Sequence, residues 1–261
     1  KWAGGKRKLI HQIAKLVPSS NSQTRLIEPF VGGGSVFLNL HFEQYLLVDS
    51  NPDLIDLFTH IKRHHKRFVK AGQALFIPEN NQPERYYALR AEFNETPSSL
   101  RRSILFLYLN RHGYNGLCRY NLKGGYNVPF GRYKKPYFPE FEINYFASKV
   151  ANAEVITGDF TVAFQAARPG DIVYCDPPYT PINRTANFTA YSGKSFSEQD
   201  QQRLVDCILT AQENGVTSII SNHYLPFTRK LYANADKIMR LNVARNISCK
   251  GNIRKSCAEL L

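Results

Sequence analysis

The chain has 261 residues, 43% of them apolar, which fits a globular protein of one large or two modest domains and excludes a disordered chain. The longest strongly apolar run, 104–109, is far too short to span a bilayer, and residues 1–6 carry no signal-peptide core. The formal net charge of +13 favours a polyanionic partner.

Leu9, Ile10, Ile13, Leu16 and Val17 recur at helical spacing, so a first helix is predicted to end near Pro18. Arg25 to Glu28 reads as a short strand. Three glycines, Gly32 to Gly34, follow it, and an apolar helix starts at about Val36. Tyr45 to Val48 reads as a second strand, closed by Asp49. Asn51-Pro52 is a helix start with proline in the first turn, and that helix is expected to reach about His65. The character changes over 66–139, where polar helices at about 84–95 and 100–112 lead into a glycine- and tyrosine-rich loop. Val155 to Thr157 and Ile172 to Cys175 are candidate strands. A helix from about Ser197 to Glu213 has Ser197 as its cap. Thr217 to Ser221 and Lys237 to Val243 are late strands. The alternation predicts an α/β fold with a mostly parallel sheet, interrupted by an insertion with a task of its own.

The five cysteines (Cys118, Cys175, Cys207, Cys249, Cys257) are scattered and form no C-x-x-C pair. That pattern points to free thiols in a reducing compartment. The histidines offer only His64-His65 as neighbours, so no metal site is expected.

The charge is concentrated. Between Arg101 and Pro139 stand eight Lys or Arg residues and no Asp or Glu, interleaved with six tyrosines. Cations neutralise phosphates and rings stack on bases, so the stretch suits nucleic acid. An anionic membrane would prefer a long amphipathic helix, which Gly113, Gly116, Gly124, Gly125 and Pro129 break.

Glu28-Pro29-Phe30-Val31-Gly32-Gly33-Gly34-Ser35 lies at a strand-to-helix turn, where glycines allow close backbone approach to a ligand. Asp49, ending the next strand, is placed to accept hydrogen bonds from ribose hydroxyls or simply to cap the following helix. Phe37 breaks the G-x-G-x-x-G pattern and no G-K-[ST] follows the glycines. S-adenosylmethionine is therefore favoured over NAD or ATP. Downstream, Asp176-Pro177-Pro178-Tyr179 closes an apolar strand. A carboxylate, a rigid turn with a free carbonyl and an aromatic ring suit a flat heterocycle bearing an exocyclic amine. Taken alone, the turn also reads as a strand end with Tyr179 as a packing residue; the donor site upstream favours methyl transfer.

Five stretches together match a known family: 1–6, 28–35, 109–138, 176–179 and 187–191. The chain resembles Dam-type DNA adenine-N6 methyltransferases, of the alpha group and GATC-specific. The resemblance implies a Rossmann-like S-adenosylmethionine-dependent methyltransferase domain with an inserted, mainly helical target-recognition domain. The catalytic domain would comprise 1–51 and 140–261, and the recognition domain 52–139. It implies that Trp2, Lys6, Phe30, Gly32, Gly34 and Asp49 line the cofactor site, that Asp159 and Phe160 meet the cofactor adenine, and that Asp176 borders it. The product would be S-adenosylhomocysteine. The partner would be double-stranded DNA, with no metal, membrane or obligate protein partner, in the bacterial cytoplasm.

In that frame Asp176 and the Pro177 carbonyl accept the two hydrogens of adenine N6, Pro178 stiffens the turn, and Tyr179 stacks on the base. The adenine must leave the duplex to reach them. No covalent intermediate is needed, so Cys175 has no role. Arg119 is the candidate for a bidentate guanine contact, with a phosphate contact as the alternative. Leu117 would touch a thymine methyl, Tyr114 would fill the vacated space, and Asn115 would meet the orphaned base. Lys1, Arg132 and Tyr133 are further contacts implied by the resemblance. Arg90, Arg101, Arg102, Lys134 and Lys135 fit phosphate contacts or a solvated face. The stretch Thr180 to Lys194 is expected to order on DNA. Rival readings are transfer to cytosine N4, RNA adenine or a protein amide, and a non-catalytic DNA-binding relative.

Overall fold

A computed structural model describes residues 5–18, 25–179, 196–244 and 256–261. A 3-10 turn at Arg7–Leu9 leads into α1 (Ile10–Leu16), then β1 (Arg25–Glu28), α2 (Ser35–Asn39) and β2 (Gln44–Asp49). Next come α3 (Pro52–Gln73), α4 (Pro83–Glu95), α5 (Leu100–His112) and α6 (Glu140–Val150). The chain continues with β3 (Ala153–Thr157), α7 (Phe160–Gln165), β4 (Ile172–Cys175), α8 (Glu198–Glu213) and β5 (Thr217–Ile220). It closes with β6 (Asn222–His223), α9 (Pro226–Leu231), β7 (Arg240–Ala244) and β8 (Ser256–Leu260).

Five strands form a parallel sheet in the order β3-β2-β1-β4-β5. The strands carry apolar residues on both faces, as a covered parallel sheet requires. Leu26, Leu47, Ile172 and Tyr174 point to the face that packs α1, α3, α5 and α6. Their neighbours Ile27, Leu46, Val48, Val173 and Cys175 point to the other face, against α7 and α8. This is the Rossmann-like methyltransferase architecture. A second sheet, β6-β8-β7, is antiparallel.

The strand order reverses between β1 and β4. Ligands of open α/β sheets sit beyond the carboxyl ends of the strands at such a point. The loop after β1 is 29–34 and the loop after β4 begins at Asp176, so both sequence motifs open into that crevice.

One expectation is met in part and one is corrected. The helix starting at Pro52 leaves helical geometry at His64 (φ −132°, ψ 33°), close to the expected end at His65, and a second helical segment continues past this kink to Gln73. It persists because Phe68 and Gly72 continue its buried stripe, and the Phe138 ring packs onto Gly72. The strand expected at Lys237 starts only at Arg240. Elsewhere the local signals hold: Asn51 caps α3 by accepting from Asp53 and Leu54 N–H, and Ser197 with Asp200 forms a capping box on α8.

Among the described residues no helix is long and apolar enough to cross a membrane, and no group of three or more His, Cys, Asp or Glu could hold a metal ion. Cys118, Cys175 and Cys207 are free thiols.

Candidate active site

The loop after β1 turns through left-handed backbone at Gly32 (φ 47°) and Gly34 (φ 65°), conformations that a β-carbon would strain. Gly34 precedes the first residue of α2. Asp49, at the end of β2, binds this loop: its Oδ2 accepts Gly32 N–H at 2.9 Å and its Oδ1 accepts Asn51 N–H at 2.9 Å. Asp49 is not the cap of α3, since Asn51 does that work. Burial pushes the Asp49 carboxyl upward, and the amides of Asn51, Gly32 and Ser50 pull it back. Three amides on the carboxylate's roughly four acceptor sites leave room for a ribose hydroxyl.

Beside it stands an aromatic wall. Phe30 lies 5.4 Å from Phe160 and 5.6 Å from Phe196, centroid to centroid. Phe196 was not singled out by sequence; only its aromaticity before a helix cap hints at it. Asp159 caps α7 through Thr161 N–H and pairs with Arg203 at 3.0 Å. The Arg203 guanidinium lies 4.9 Å from the Phe160 ring centroid. Trp2 lies outside the described residues.

Across the crevice, β4 ends at Cys175 and delivers Asp176 to Tyr179. Lys6 reaches over from the first turn. Its ammonium is 3.1 Å from Asp176 Oδ1 and 3.6 Å from Glu259 Oε2, and it donates to the Tyr179 hydroxyl. The Tyr179 hydroxyl is also 3.0 Å from Ser221 Oγ, and its ring is 4.2 Å from that of His223. Pro178 C=O accepts from Gln201 at 3.4 Å. Burial pushes the Asp176 carboxyl up to about 6, opposed by the Lys6 ammonium. Glu28, fully enclosed behind it, accepts Phe37 N–H at 2.5 Å and is pushed by burial to about 8. Cys175 is buried and its thiol is pushed up, which makes it inert. The lysine, the carboxylate and the tyrosine thus meet in one cluster, while Phe30, Phe160 and Phe196 form a second, with Asp159 adjoining Phe160 in sequence. Ser221 and Glu259 were not found by sequence reading. Glu259 is the one acid in the closing apolar strand, a signal visible only in retrospect.

The basic segment forms a pinned loop. Gly113 bridges Phe130, and Tyr120 bridges Tyr126. Arg119 is held inside it: Nε donates to Asn127 Oδ1 at 2.7 Å and Nη2 to Asn127 C=O at 3.0 Å. Tyr114 and Tyr133 are exposed. Asn115 and Arg132 adopt left-handed φ of 54° and 52°. Leu117 is half-buried and its carbonyl accepts from Tyr126 at 2.9 Å. Arg90 donates to Val128 C=O at 3.0 Å and stacks on Tyr87. The carbonyl of Lys134, like that of Tyr133, accepts from Asn81. Lys1 and the stretch 180–194 lie outside the described residues.

Arg102 departs from expectation. It is neither a phosphate contact nor part of a solvated face: it pairs with buried Asp53 at 2.6 Å and donates to Phe93 and Thr96 C=O. Asp53 also accepts from Tyr120 at 2.6 Å, so Arg102 braces the loop's start. Arg101, by contrast, pairs with Glu92 at the surface.

Comparison with known proteins fits this geometry. The profile of the D12 class N6 adenine-specific DNA methyltransferases matches residues 2–247. A DNA adenine methylase of Salmonella typhi is 49% identical over 261 residues, covering 100% of this chain and 92% of that protein. That of Escherichia coli strain K12 is 48% identical over 261 residues, with coverage of 100% and 92%. One from Vibrio cholerae is 47% identical over 263 residues, covering 100% of this chain and 93% of the relative. A methyl donor and DNA are what such an enzyme requires. The chain belongs to the D12 class N6 adenine-specific DNA methyltransferases.

Proposed function

We propose that the chain methylates N6 of an adenine flipped out of duplex DNA, within GATC, using S-adenosylmethionine. The observation that carries the reading is the pairing of two half-sites across the β1/β4 reversal. Asp49 and Gly32 stand on one side, Asp176 and Tyr179 on the other. The donor set suits the cofactor. Asp49 has an acceptor site left for a ribose hydroxyl, Phe30, Phe160 and Phe196 offer a flat apolar wall, and Lys6 borders the site from the Asp176 cluster. Trp2, Gly32, Gly34 and Asp159 complete the proposed site. S-adenosylmethionine, when bound, supplies the electrophilic methyl.

The chain's own residues prepare the nucleophile. The adenine N6 lone pair is conjugated into the ring and is a poor nucleophile. Asp176 and the Pro177 carbonyl accept the two N6 hydrogens and favour a more tetrahedral nitrogen. The lone pair then faces the methyl for in-line attack, so the gain comes from placement and preorganised dipoles. Pro177-Pro178 stiffens the turn. The Tyr179 ring stacks on the base, and flipping the base out costs roughly a few kcal/mol.

Residues 52–139 are read as the target-recognition unit. Arg119, oriented by Asn127, reads a guanine; Leu117 touches a thymine methyl; Tyr114 and Asn115 occupy the space the adenine leaves. Lys1, Arg90, Arg132, Tyr133 and Lys134 hold the backbone. The site of action is the bacterial cytoplasm, where such DNA lies.

The test is transfer from labelled S-adenosylmethionine to matched duplexes containing GATC or single-base variants, with product nucleosides identified. N6-methyladenine formed strongly on GATC alone is the expected result. Transfer without that preference removes the GATC assignment, and N4-methylcytosine or transfer to RNA alone removes the substrate reading. Cofactor binding without any transfer would leave a DNA-binding relative.

A further inference from the structure

Two carboxylates face one ammonium at the end of β4. Lys6, only 6% exposed, sits 3.1 Å from Asp176 and 3.6 Å from Glu259. Glu259 arrives on β8, in register with His223 of β6 and Leu241 of β7. Its side chain is 13% exposed, so its charge sits in a largely dry place. A buried carboxylate is costly unless well paired. Glu259 is paired only loosely: the ammonium is beyond hydrogen-bond range, and the Tyr179 hydroxyl is at the long limit, 3.5 Å. Lys6 is closer to Asp176. While it stays there, it occupies an acceptor oxygen and offsets the charge that the proposed chemistry needs.

We propose that Glu259 is a positioning residue that takes over the Lys6 ammonium when the target amine reaches Asp176. The inference rests on the catalytic reading of Asp176 given above. The Tyr179 hydroxyl, steadied by Ser221 at 3.0 Å, touches all three groups and can keep its contact with the ammonium in either position. The charge count supports the assignment. Asp176 and Glu259 against Lys6 leave one negative charge in excess. Methyl transfer moves positive charge onto the amine nitrogen, next to that excess. Without Glu259, Lys6 would cancel Asp176 and no excess would remain.

The other groups facing Asp176 are Glu28 from β1, Tyr174 and Cys175 from β4, and Tyr179 from its own turn, with His223 packed on the Tyr179 ring. Of these, Tyr174 and Tyr179 also feel the Glu259 charge, which pushes both phenols upward. Glu259 and burial both push the Asp176 carboxyl upward, and Lys6 pushes it down.

The test uses the full chain as Glu259→Gln and Glu259→Asp, with Asp176→Ala alongside. Single-turnover methylation is followed against pH, and cofactor affinity is measured by calorimetry. Glu259→Gln is expected to slow the single turnover by roughly tenfold or more, leave cofactor Kd within about threefold, and move the acid limb of the rate to lower pH. Glu259→Asp, which keeps the charge, should recover part of the rate and the parental limb. An unchanged rate and limb in Glu259→Gln would overturn the proposal. Equal losses in both variants with no movement of the limb would overturn it too, since that marks a packing defect. Near-normal turnover in Asp176→Ala would remove the catalytic reading together with this inference. Loss in Asp176→Ala beside a normal Glu259→Gln would remove the role of Glu259 alone.

Discussion

The Gly32 amide donates to Asp49 Oδ2 at 2.9 Å, so the residue that would hold a ribose also fixes the loop that would approach it. Asp49→Ala removes both functions. A lost hydrogen bond to a charged group is worth about 1.5–3 kcal/mol, so cofactor Kd should rise by roughly ten- to a hundredfold. Asp49→Asn, which retains one acceptor, should fall between. Isothermal titration of both variants checks this, and affinities within twofold of the parent would exclude the ribose role.

Asp176 and Glu28 predict a pH dependence. The folded Asp176 carboxyl is pushed from 3.8 to about 6, mainly by burial. The acceptor role needs the carboxylate, so the chemical step should slow as pH falls through about 6. For Glu28, raised from 4.5 to about 8 by burial, the folded state holds the proton more tightly than the unfolded chain. Its contribution to stability is therefore fully present below about 4.5 and is lost as pH rises through about 8. Glu28→Gln, which keeps a neutral side chain of similar shape, should gain on the parent in Tm across that window. A constant Tm difference from pH 5 to 9 would contradict the assignment.

Arg102 and Arg101 adjoin in sequence and should differ sharply. Removing one partner of a buried pair costs about 3–5 kcal/mol, because the other charge is stranded. Arg102→Ala strands Asp53 and should lower stability by that order. Arg101→Ala breaks an exposed pair with Glu92, worth at most about 1 kcal/mol. Urea denaturation of both variants separates them, and equal losses would refute the distinction.

Arg119 carries the specificity prediction. Arg119→Ala should reduce discrimination at one base pair by about 1–3 kcal/mol while activity on other positions keeps its order. Asn127→Ala, which removes the Oδ1 contact of the guanidinium and keeps the one to the backbone carbonyl, should produce a smaller loss of the same kind. A uniform loss across all duplexes, with a shallower salt dependence, would assign Arg119 to a phosphate.

What the sequence made legible was local. The acid-and-glycine turn after β1, the Asp-Pro-Pro-Tyr turn after β4, and the caps Asn51 and Ser197 are each written within a few adjacent residues. The continuation of α3 past His64 was not: there Gly72 packs under the Phe138 ring, more than sixty positions away. Helix α6 does carry Ile143, Phe146 and Val150 at helical spacing, a signal overshadowed by the glycine-rich stretch before it. Glu259 was out of reach for a deeper reason. An antiparallel strand is defined by its partners, and nothing in Ala258-Glu259-Leu260 points to Lys6 near the other end of the chain. Arg102 was misread because charge alone does not reveal a buried Asp53 opposite it.

The loop from Gly113 to Phe130 returns to its own starting point: besides their bridge, Tyr114 N–H donates to Pro129 C=O and Gly131 N–H to His112 C=O, both at 2.8 Å. The helices before it bury Phe58, Phe93 and Leu105 in the same continuous core as Leu26 and Leu47 of the parallel sheet. Anyone wishing to transplant a sequence preference between such enzymes should therefore cut at the neck of the loop and not at the helices. Such a cassette must still carry Cys118, Tyr126 and Val128, which the loop buries in that same core. An exchange of all of 52–139 would also remove Phe58, Phe93 and Leu105 from that core.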